Sequence, residues 1–197
     1  MRLLVFSDIH GDLSALRSLM NTEADYYFAA GDLVSWARGF EKVGPVLKER
    51  AGRVYVIPGN HESQADIARL CQEYGLHNFH RQQMKIGTYT VAGLGYSNPT
   101  PFNTPGEYSE EELARHLAAF DDVQPGVLVC HCPPQGTSLD ETRPGQHFGS
   151  QAVREFIEHK QPEYFFCGHI HEAAGRSERL GATQAWNVGK KGYMLEL

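Results

Sequence analysis

Five apolar runs in this chain each pass directly into an acid, an amide or an imidazole, and no other feature constrains the fold as strongly. The runs with their polar ends are RLLVFSDIH, YYFAAGD, VYVIPGNH, GVLVCH and YFFCGHIH. Short apolar runs of this kind indicate buried strands. Because open α/β sheets form ligand sites just beyond the carboxyl ends of their strands, we expect these polar side chains to meet at one edge.

The segments between the strands predict helices and two long loops. The expected helices span residues 12–20, 40–50, 63–74, 109–120 and 150–160. Ser109 and Glu112 have the spacing of a capping box. Proline and glycine mark residues 96–107 and 134–148 as loops, and long loops in compact proteins are often functional. Strands alternating with helices, without repeats or a linker, predict one α/β domain over residues 1–197.

Composition and charge exclude several classes of protein. The net charge of -6 and the pI near 5.9 argue against a general nucleic-acid-binding surface, which is normally basic. A phosphate-bearing substrate stays possible, because bound metals reverse the local field. No run has transmembrane length, and the N-terminal run is too short for a signal peptide. The four cysteines form no CxxC pair, so we expect free thiols in a cytoplasmic protein, while the sequence neither supports nor excludes a dimer.

Seven side chains at the strand ends are suitable metal ligands. They are Asp8, His10, Asp32, Asn60, His131, His169 and His171. Seven ligands are too many for one ion and suit two, and a shared carboxylate would offset the repulsion between ions about 3.5–4 Å apart. A mixed imidazole, carboxylate and amide set suits Mn, Fe or Zn better than Ca. The sequence therefore predicts a site for two divalent transition metal ions.

In chain order, the motifs DxH, GD, GNHE, a lone His after a strand and GHxH resemble those of the calcineurin-like metallophosphoesterases. The resemblance implies a four-layer αββα sandwich, in which two mixed β-sheets pack face to face with helices outside and a dinuclear metal site at the strand ends. It makes Mn the first metal to expect. It also implies a ligand assignment: Asp8, His10 and His171 for one ion, Asn60, His131 and His169 for the other, and Asp32 as the bridge.

The same resemblance gives His61 and Asp32 catalytic roles. His61 is implied to face the substrate, where it assists the leaving group or the phosphoryl oxygens. An imidazole titrates near neutral pH, so His61 is also a candidate proton donor to the leaving oxygen. Phosphoprotein phosphatases carry GDxVDRG where this chain has GDLVSWA, so Ser35 replaces the acid that pairs with the catalytic histidine, and protein phosphatase activity is not expected.

A narrower resemblance, to the small Icc-related phosphohydrolases, lies in GLGYSNPTPFNTPGE, HCPPQGT, GQHFGS and CGHIHEA. It suggests that Asn98 and His147 contact the substrate; a turn-forming Asn and a surface His are the alternatives. Trp36 and Phe40 are candidates to stack on a base, or they pack between loop and helix.

The expected function is a phosphodiesterase that hydrolyses small or cyclic nucleotide-like phosphate esters with metal-activated hydroxide. A phosphomonoesterase is the alternative within the same chemistry. A metal-bearing protein-interaction scaffold is the alternative of a different class, although every ligand position of the motifs is filled here.

Overall fold

The computed structural model describes residues 1–120 and 126–197, and the strands in this part form two mixed sheets and one hairpin. Sheet I has the order β13-β1-β2-β3-β4, with β1 (Arg2–Phe6), β2 (Tyr26–Ala30), β3 (Val54–Ile57), β4 (His77–Asn78) and β13 (Tyr193–Glu196). Sheet II has the order β11-β12-β10-β7-β6-β5, with β5 (Gln82–Ile86), β6 (Tyr89–Leu94), β7 (Gly126–Cys130), β10 (Tyr164–Cys167), β11 (Ser177–Leu180) and β12 (Thr183–Asn187). The hairpin pairs β8 (Glu141–Arg143) with β9 (Gln146–His147).

In the described ranges, five α-helices cover the outer faces of the sheets. They are α1 (Leu13–Asn21), α2 (Phe40–Lys48), α3 (Gln64–Tyr74), α4 (Glu110–Ala118) and α5 (Gln151–Lys160). The predicted capping box of Ser109 and Glu112 is confirmed, and Asp12 caps α1 by accepting a hydrogen bond from the Ala15 N–H at 3.0 Å. These local signals place each helix start because a cap satisfies N–H groups that have no partner within the helix.

Three separate apolar cores show that the molecule has four layers. In β1, Leu4 and Phe6 pack against α1, α2 and α3, whereas Leu3 and Val5 point to the opposite face. That opposite face meets sheet II in a core that contains Phe166. A third core lies between sheet II and helices α4 and α5. Strand alternation thus fills two cores at once, and the predicted αββα sandwich is confirmed.

The cysteines lie in the apolar cores. Cys130, Cys132 and Cys167 belong to the core between sheet II and its helices, and all four cysteines of the chain are buried and free. Burial raises the pKa of the Cys130 thiol to about 12. These thiols are therefore poor metal ligands, because the thiolate is the binding form.

Three short features differ from the sequence prediction. The expected loop at 134–148 contains the hairpin β8–β9, and two strands, β4 and β11, were not predicted. These strands carry few apolar residues, so the alternation that signals a half-buried strand is missing. Within residues 1–120 and 126–197, no helix is long and apolar enough to cross a membrane.

Candidate metal centre and active site

The polar side chains that follow the strands converge where the carboxyl ends of the two sheets meet. They form three overlapping groups, and within each group the potential ligand atoms lie within 4.8 Å of one another. The groups are Asp8, His10 and His171; Asp32, His131 and His169; and His10, Asp32 and His61. Of the seven predicted ligands, the structure brings six together in this way, and hydrogen-bond distances add Asn60.

The first group is built around two facing imidazoles. The Nε2 atoms of His10 and His171 are 3.0 Å apart, and Asp8 Oδ1 lies 3.7 Å from His171 Nε2. The other ring nitrogen of His10 lies 2.9 Å from Ser35 Oγ, and Asp8 accepts hydrogen bonds from the His169 N–H at 3.1 Å. His10 and Asp8 are therefore each oriented by a contact outside the group.

The second group is arranged around the Asn60 amide oxygen. Asn60 Oδ1 lies 3.1 Å from His131 Nε2 and 2.9 Å from His169 Nδ1. The Asn60 NH2 group donates to Thr104 Oγ1 at 3.1 Å, which turns the oxygen toward the histidines. His131 Nδ1 is 2.8 Å from the Ala30 carbonyl and donates to it, so in the neutral imidazole the lone pair lies on Nε2. Backbone contacts of this kind fix the tautomer of metal-binding histidines.

Asp32 lies between the two groups. Its Oδ2 is 3.6 Å from His10 Nε2 and 3.5 Å from His131 Nε2, while Oδ1 accepts the His61 N–H at 3.0 Å. The residue is 1% exposed. Burial opposes ionisation, but His131 beside the carboxylate holds the pKa of Asp32 well below its usual range. Asp32 thus presents one anionic oxygen to both groups.

The donor atoms fit a pair of divalent cations. Imidazole nitrogens and oxygen atoms face one another at about 3 Å, and two carboxylates are buried beside them. Separations of this size match ligands that share one ion at bond lengths of about 2.0–2.2 Å. Nitrogen and oxygen donors together are typical of transition metal sites.

The backbone at the ligands is strained. Asp8, His10, Asp32 and His169 have positive φ angles between 46° and 69°. Such conformations typically cost about 1–3 kcal/mol for residues other than glycine, and they cluster at functional sites. The left-handed turn redirects each side chain from the sheet face toward the common edge.

Close packing explains why glycine precedes the ligands in the GN and GH motifs. A Cβ atom on Gly59 would overlap the Asp32 carboxylate, and one on Gly168 would overlap Ser7 and Asp8. At each of these two contacts, neighbouring strand ends approach more closely than any side chain allows.

Glu62, to which the sequence analysis assigned no role, holds the backbone beside the metal ligands. Its buried carboxylate accepts the N–H groups of Asp32 at 3.0 Å, Val34 at 3.0 Å and Gly59 at 2.8 Å. Burial and the neighbouring Asp32 raise the pKa of Glu62 to about 8. The one sequence signal for this role was the position of Glu62 in the GNHE motif. Its partners are backbone N–H groups, which the sequence does not identify.

His61 is held by the turn at residues 35–38. The Trp36 N–H donates to His61 Nδ1 at 3.3 Å, and the Ala37 N–H donates to the His61 carbonyl at 2.9 Å. With Nδ1 as the acceptor, the ring hydrogen lies on Nε2. The Trp36 ring meets the His61 ring edge-on at 5.4 Å and stays 48% exposed, whereas Phe40 packs against the helix core.

Two grooves open from the centre, and both are lined by His61 and His171. One, of about 750 Å³, runs past Gly11, Ser35 and Lys190. The other, of about 530 Å³, runs between the loops 96–107 and 134–150 and is lined by Asn98 and His147.

Asn98 and His147 also make specific contacts in this second groove. Asn98 joins the two loops: its NH2 donates to the Gly149 carbonyl at 3.2 Å, and its oxygen accepts from Cys132 Sγ at 3.1 Å. His147 Nδ1 lies 2.8 Å from Asp140 Oδ1.

Comparison with known proteins agrees with this arrangement. Residues 1–173 match the family described as calcineurin-like phosphoesterase. An uncharacterised protein of Methanocaldococcus jannaschii is 31% identical over 201 residues, which cover 99% of this chain and 91% of that protein. A probable glycerophosphodiester phosphodiesterase of Arcobacter nitrofigilis is 24% identical over 139 residues, 68% of this chain and 48% of that protein. The crystal structure of a Thermus thermophilus protein has the same fold, with a TM-score of 0.72 at 21% identity over 96% of this chain and 90% of that one.

Proposed function

Because the chain belongs to the calcineurin-like phosphoesterase family, we propose that it is a phosphodiesterase that hydrolyses small or cyclic nucleotide-like esters with two metal ions. Phosphoester hydrolysis with a dinuclear metal centre is the chemistry of this family. Mn is the first metal to test, with Fe and Zn as alternatives. The four free thiols support a cytoplasmic location for the domain.

The observation that carries the diester preference is the pair of grooves that meet at the metal centre. A phosphodiester has two substituents on one phosphorus, and a phosphate placed between the grooves can direct one substituent into each. A monoester would fill only one of them. The printed name of the Arcobacter nitrofigilis relative, a diester hydrolase, supports the same preference.

The ligand roles follow from the two groups. Asp8, His10 and His171 would hold one ion, Asn60, His131 and His169 the other, and Asp32, which faces both groups, would be shared. When bound, the ions supply Lewis acidity that activates water and offsets the charge developing on the phosphoryl oxygens.

His61 would contact the reacting phosphate from the side opposite Trp36. Since its Nδ1 accepts the Trp36 N–H, its Nε2–H is available to donate a hydrogen bond to a phosphoryl or leaving oxygen. Asn98 and His147 would contact the ester arm in the second groove.

The test is turnover of bis-p-nitrophenyl phosphate beside p-nitrophenyl phosphate, after metal removal and separate reloading with Mn, Fe, Zn or Mg. We expect metal-dependent cleavage that favours the diester. Asp32→Asn should reduce it by more than the roughly 10–100-fold that loss of a supporting residue costs. The matched control is Asp25→Asn, because the Asp25 carboxylate accepts the Arg2 N–H at the amino ends of β1 and β2, away from the metal ligands.

Two outcomes would contradict the proposal. Cleavage of the monoester alone would indicate a phosphomonoesterase. Two bound ions without turnover of either ester would favour a metal-bearing scaffold.

A further inference from the structure

Asp140 is fully buried although it lies in the surface loop 134–150. Its carboxylate accepts the N–H groups of Gly136 at 3.1 Å, Thr137 at 2.9 Å and Gly149 at 2.9 Å, and it also accepts His147 Nδ1–H at 2.8 Å. One side chain therefore closes the loop and fixes an imidazole at the groove. Neither the ligand groups nor His61 uses this residue.

The contact with Asp140 determines which nitrogen His147 can offer to a ligand. Because Nδ1–H is donated to Asp140, Nε2 is the ring nitrogen left for a ligand. The His147 side chain is 30% exposed and lines the second groove. The hydrogen bond that His147 donates to Asp140 raises the pKa of His147, and the Glu141 carboxylate adds to the rise. Among the described residues that line this groove there is no Lys or Arg, so His147, when protonated, supplies its cationic donor outside the metal centre.

Two exposed aromatic rings line the same groove. Phe102 is 70% exposed and Phe148 is 52% exposed, and they come from the two facing loops. In the described parts of the chain only four large apolar side chains are exposed, and three of them, counting Trp36 beside His61, lie at the active site. Exposed apolar groups that concentrate at one site indicate a ligand surface.

We propose that the second groove is a nucleoside subsite, in which the base packs on Phe102 and Phe148, His147 Nε2–H donates to an oxygen of the sugar-phosphate arm, and Asp140 positions His147. The inference rests on the proposed function, because the phosphate must lie at the metal centre. A nucleoside combines a flat π face with nearby oxygen acceptors, whereas an acyl chain offers neither. A cavity of about 530 Å³ has the size of ordinary small-ligand sites.

The test compares calorimetric binding of thymidine 5′-phosphate and methyl phosphate to the metal-loaded protein. Both ligands place one phosphate at the ions and differ only in the nucleoside, so the ratio of their affinities isolates the subsite. We expect tighter binding of the nucleotide. Phe102→Ala and Phe148→Ala should each reduce the ratio about ten-fold, as loss of base stacking typically does. His77→Ala, an exposed ring on β4 that lines neither groove, is the control and should keep the ratio.

His147 and Asp140 need a measurement that loop damage alone would not change. His147→Ala should reduce the affinity ratio about ten-fold, and His147→Gln, which keeps a donor near the Nε2 position, should recover part of it. In the unmodified protein the ratio should fall as pH rises through the His147 titration. Asp140→Asn should move that fall to lower pH, because it removes the negative partner.

Equal affinities for the two ligands, or an unchanged ratio in the Phe102, Phe148 and His147 variants, would overturn the subsite. Neither result affects the proposed diesterase activity, which depends on turnover of bis-p-nitrophenyl phosphate. Conversely, nucleotide preference without diester turnover would support the subsite and contradict the proposed function.

Discussion

The active site has a floor and two walls that are built by different means. The floor consists of the ligand-bearing strand ends, and the walls are the loops 96–107 and 134–150. In the floor, position comes from the sheets, because each ligand follows a strand directly. In the walls, position comes from single carboxylates: Glu107 accepts from Thr100 Oγ1 at 2.6 Å and from the Thr104 N–H at 2.8 Å, as Asp140 does for its own loop. The floor is thus specified by backbone geometry and the walls by side chains.

The largest expected effect on metal binding comes from filling the space between the ends of β2 and β3 in the floor. Gly59→Ala places a methyl group against the Asp32 carboxylate, so we expect loss of at least one bound ion and of turnover. Gly52→Ala is the control: it meets open space, and its φ of +79° predicts a stability cost of about 1 kcal/mol with both ions kept. Metal content and thermal unfolding measure the two effects. Two tightly bound ions in Gly59→Ala would show that the floor tolerates displacement.

His61 lies where the floor meets the turn at residues 35–38, and its variants test which oxygen it contacts. His61→Ala should lower kcat by about 10²–10³-fold, and His61→Gln should recover part of the loss through its amide donor. Because His61 Nδ1 accepts the Trp36 N–H, the Nε2–H can donate a hydrogen bond to a phosphoryl oxygen. That hydrogen bond does not depend on the leaving group, so we expect equal losses for nitrophenyl and alkyl esters. A loss confined to the alkyl ester would instead demonstrate proton transfer to the leaving oxygen.

Glu62 and Glu107 provide a direct comparison of floor and wall. Both carboxylates accept backbone N–H groups, but Glu62 holds the segment of Asp32 and Glu107 holds the proline-rich loop. Glu62→Gln removes part of the support of the Asp32 segment, and we expect it to weaken metal binding about 10–100-fold. Glu107→Gln should leave metal affinity near that of the unmodified protein, and metal titration checks both. Equal losses in the two variants would remove the distinction between floor and wall.

A further effect concerns stability and comes from His80, which contacts the residue that follows the loop 96–107. His80 accepts the Gly95 N–H at 3.0 Å and contacts the Tyr108 hydroxyl at 3.1 Å, and burial lowers its pKa to about 3. The unfolded chain binds this proton near pH 6.5, so stability is full above that pH and falls as pH decreases toward 3. The loss is about 3 kcal/mol at pH 4.

Denaturant unfolding in chelator between pH 7 and 4 measures this loss. His80→Asn keeps an acceptor for Gly95 and should show a shallower dependence on pH. Asn21→Ser, at the exposed end of α1, changes no titratable group and should keep the original slope. An unchanged slope in His80→Asn would assign the dependence to other groups.

The sequence predicts the floor well because its signals are local. Apolar alternation identifies the strands, caps identify the helix starts, and each ligand is covalently next to a strand. The walls were only partly predictable. The hairpin β8–β9 has no apolar alternation, and Asp140 acts through backbone N–H groups that every residue but proline possesses. The same reason hides Glu62, whose partners Asp32 and Val34 lie about thirty residues away, and the Trp36 amide that orients His61.

Each ion would take ligands from both sheets, and this has a mechanical consequence. His10 follows β1 of sheet I while His171 follows β10 of sheet II, and Asn60 and His131 are divided in the same way. The distance between the ligand halves is therefore set by the thickness of the apolar layer between the sheets, where Phe166 is packed. This layer acts as a spacer, so a change of side-chain volume there would alter the affinity for both ions without any direct contact with either ion.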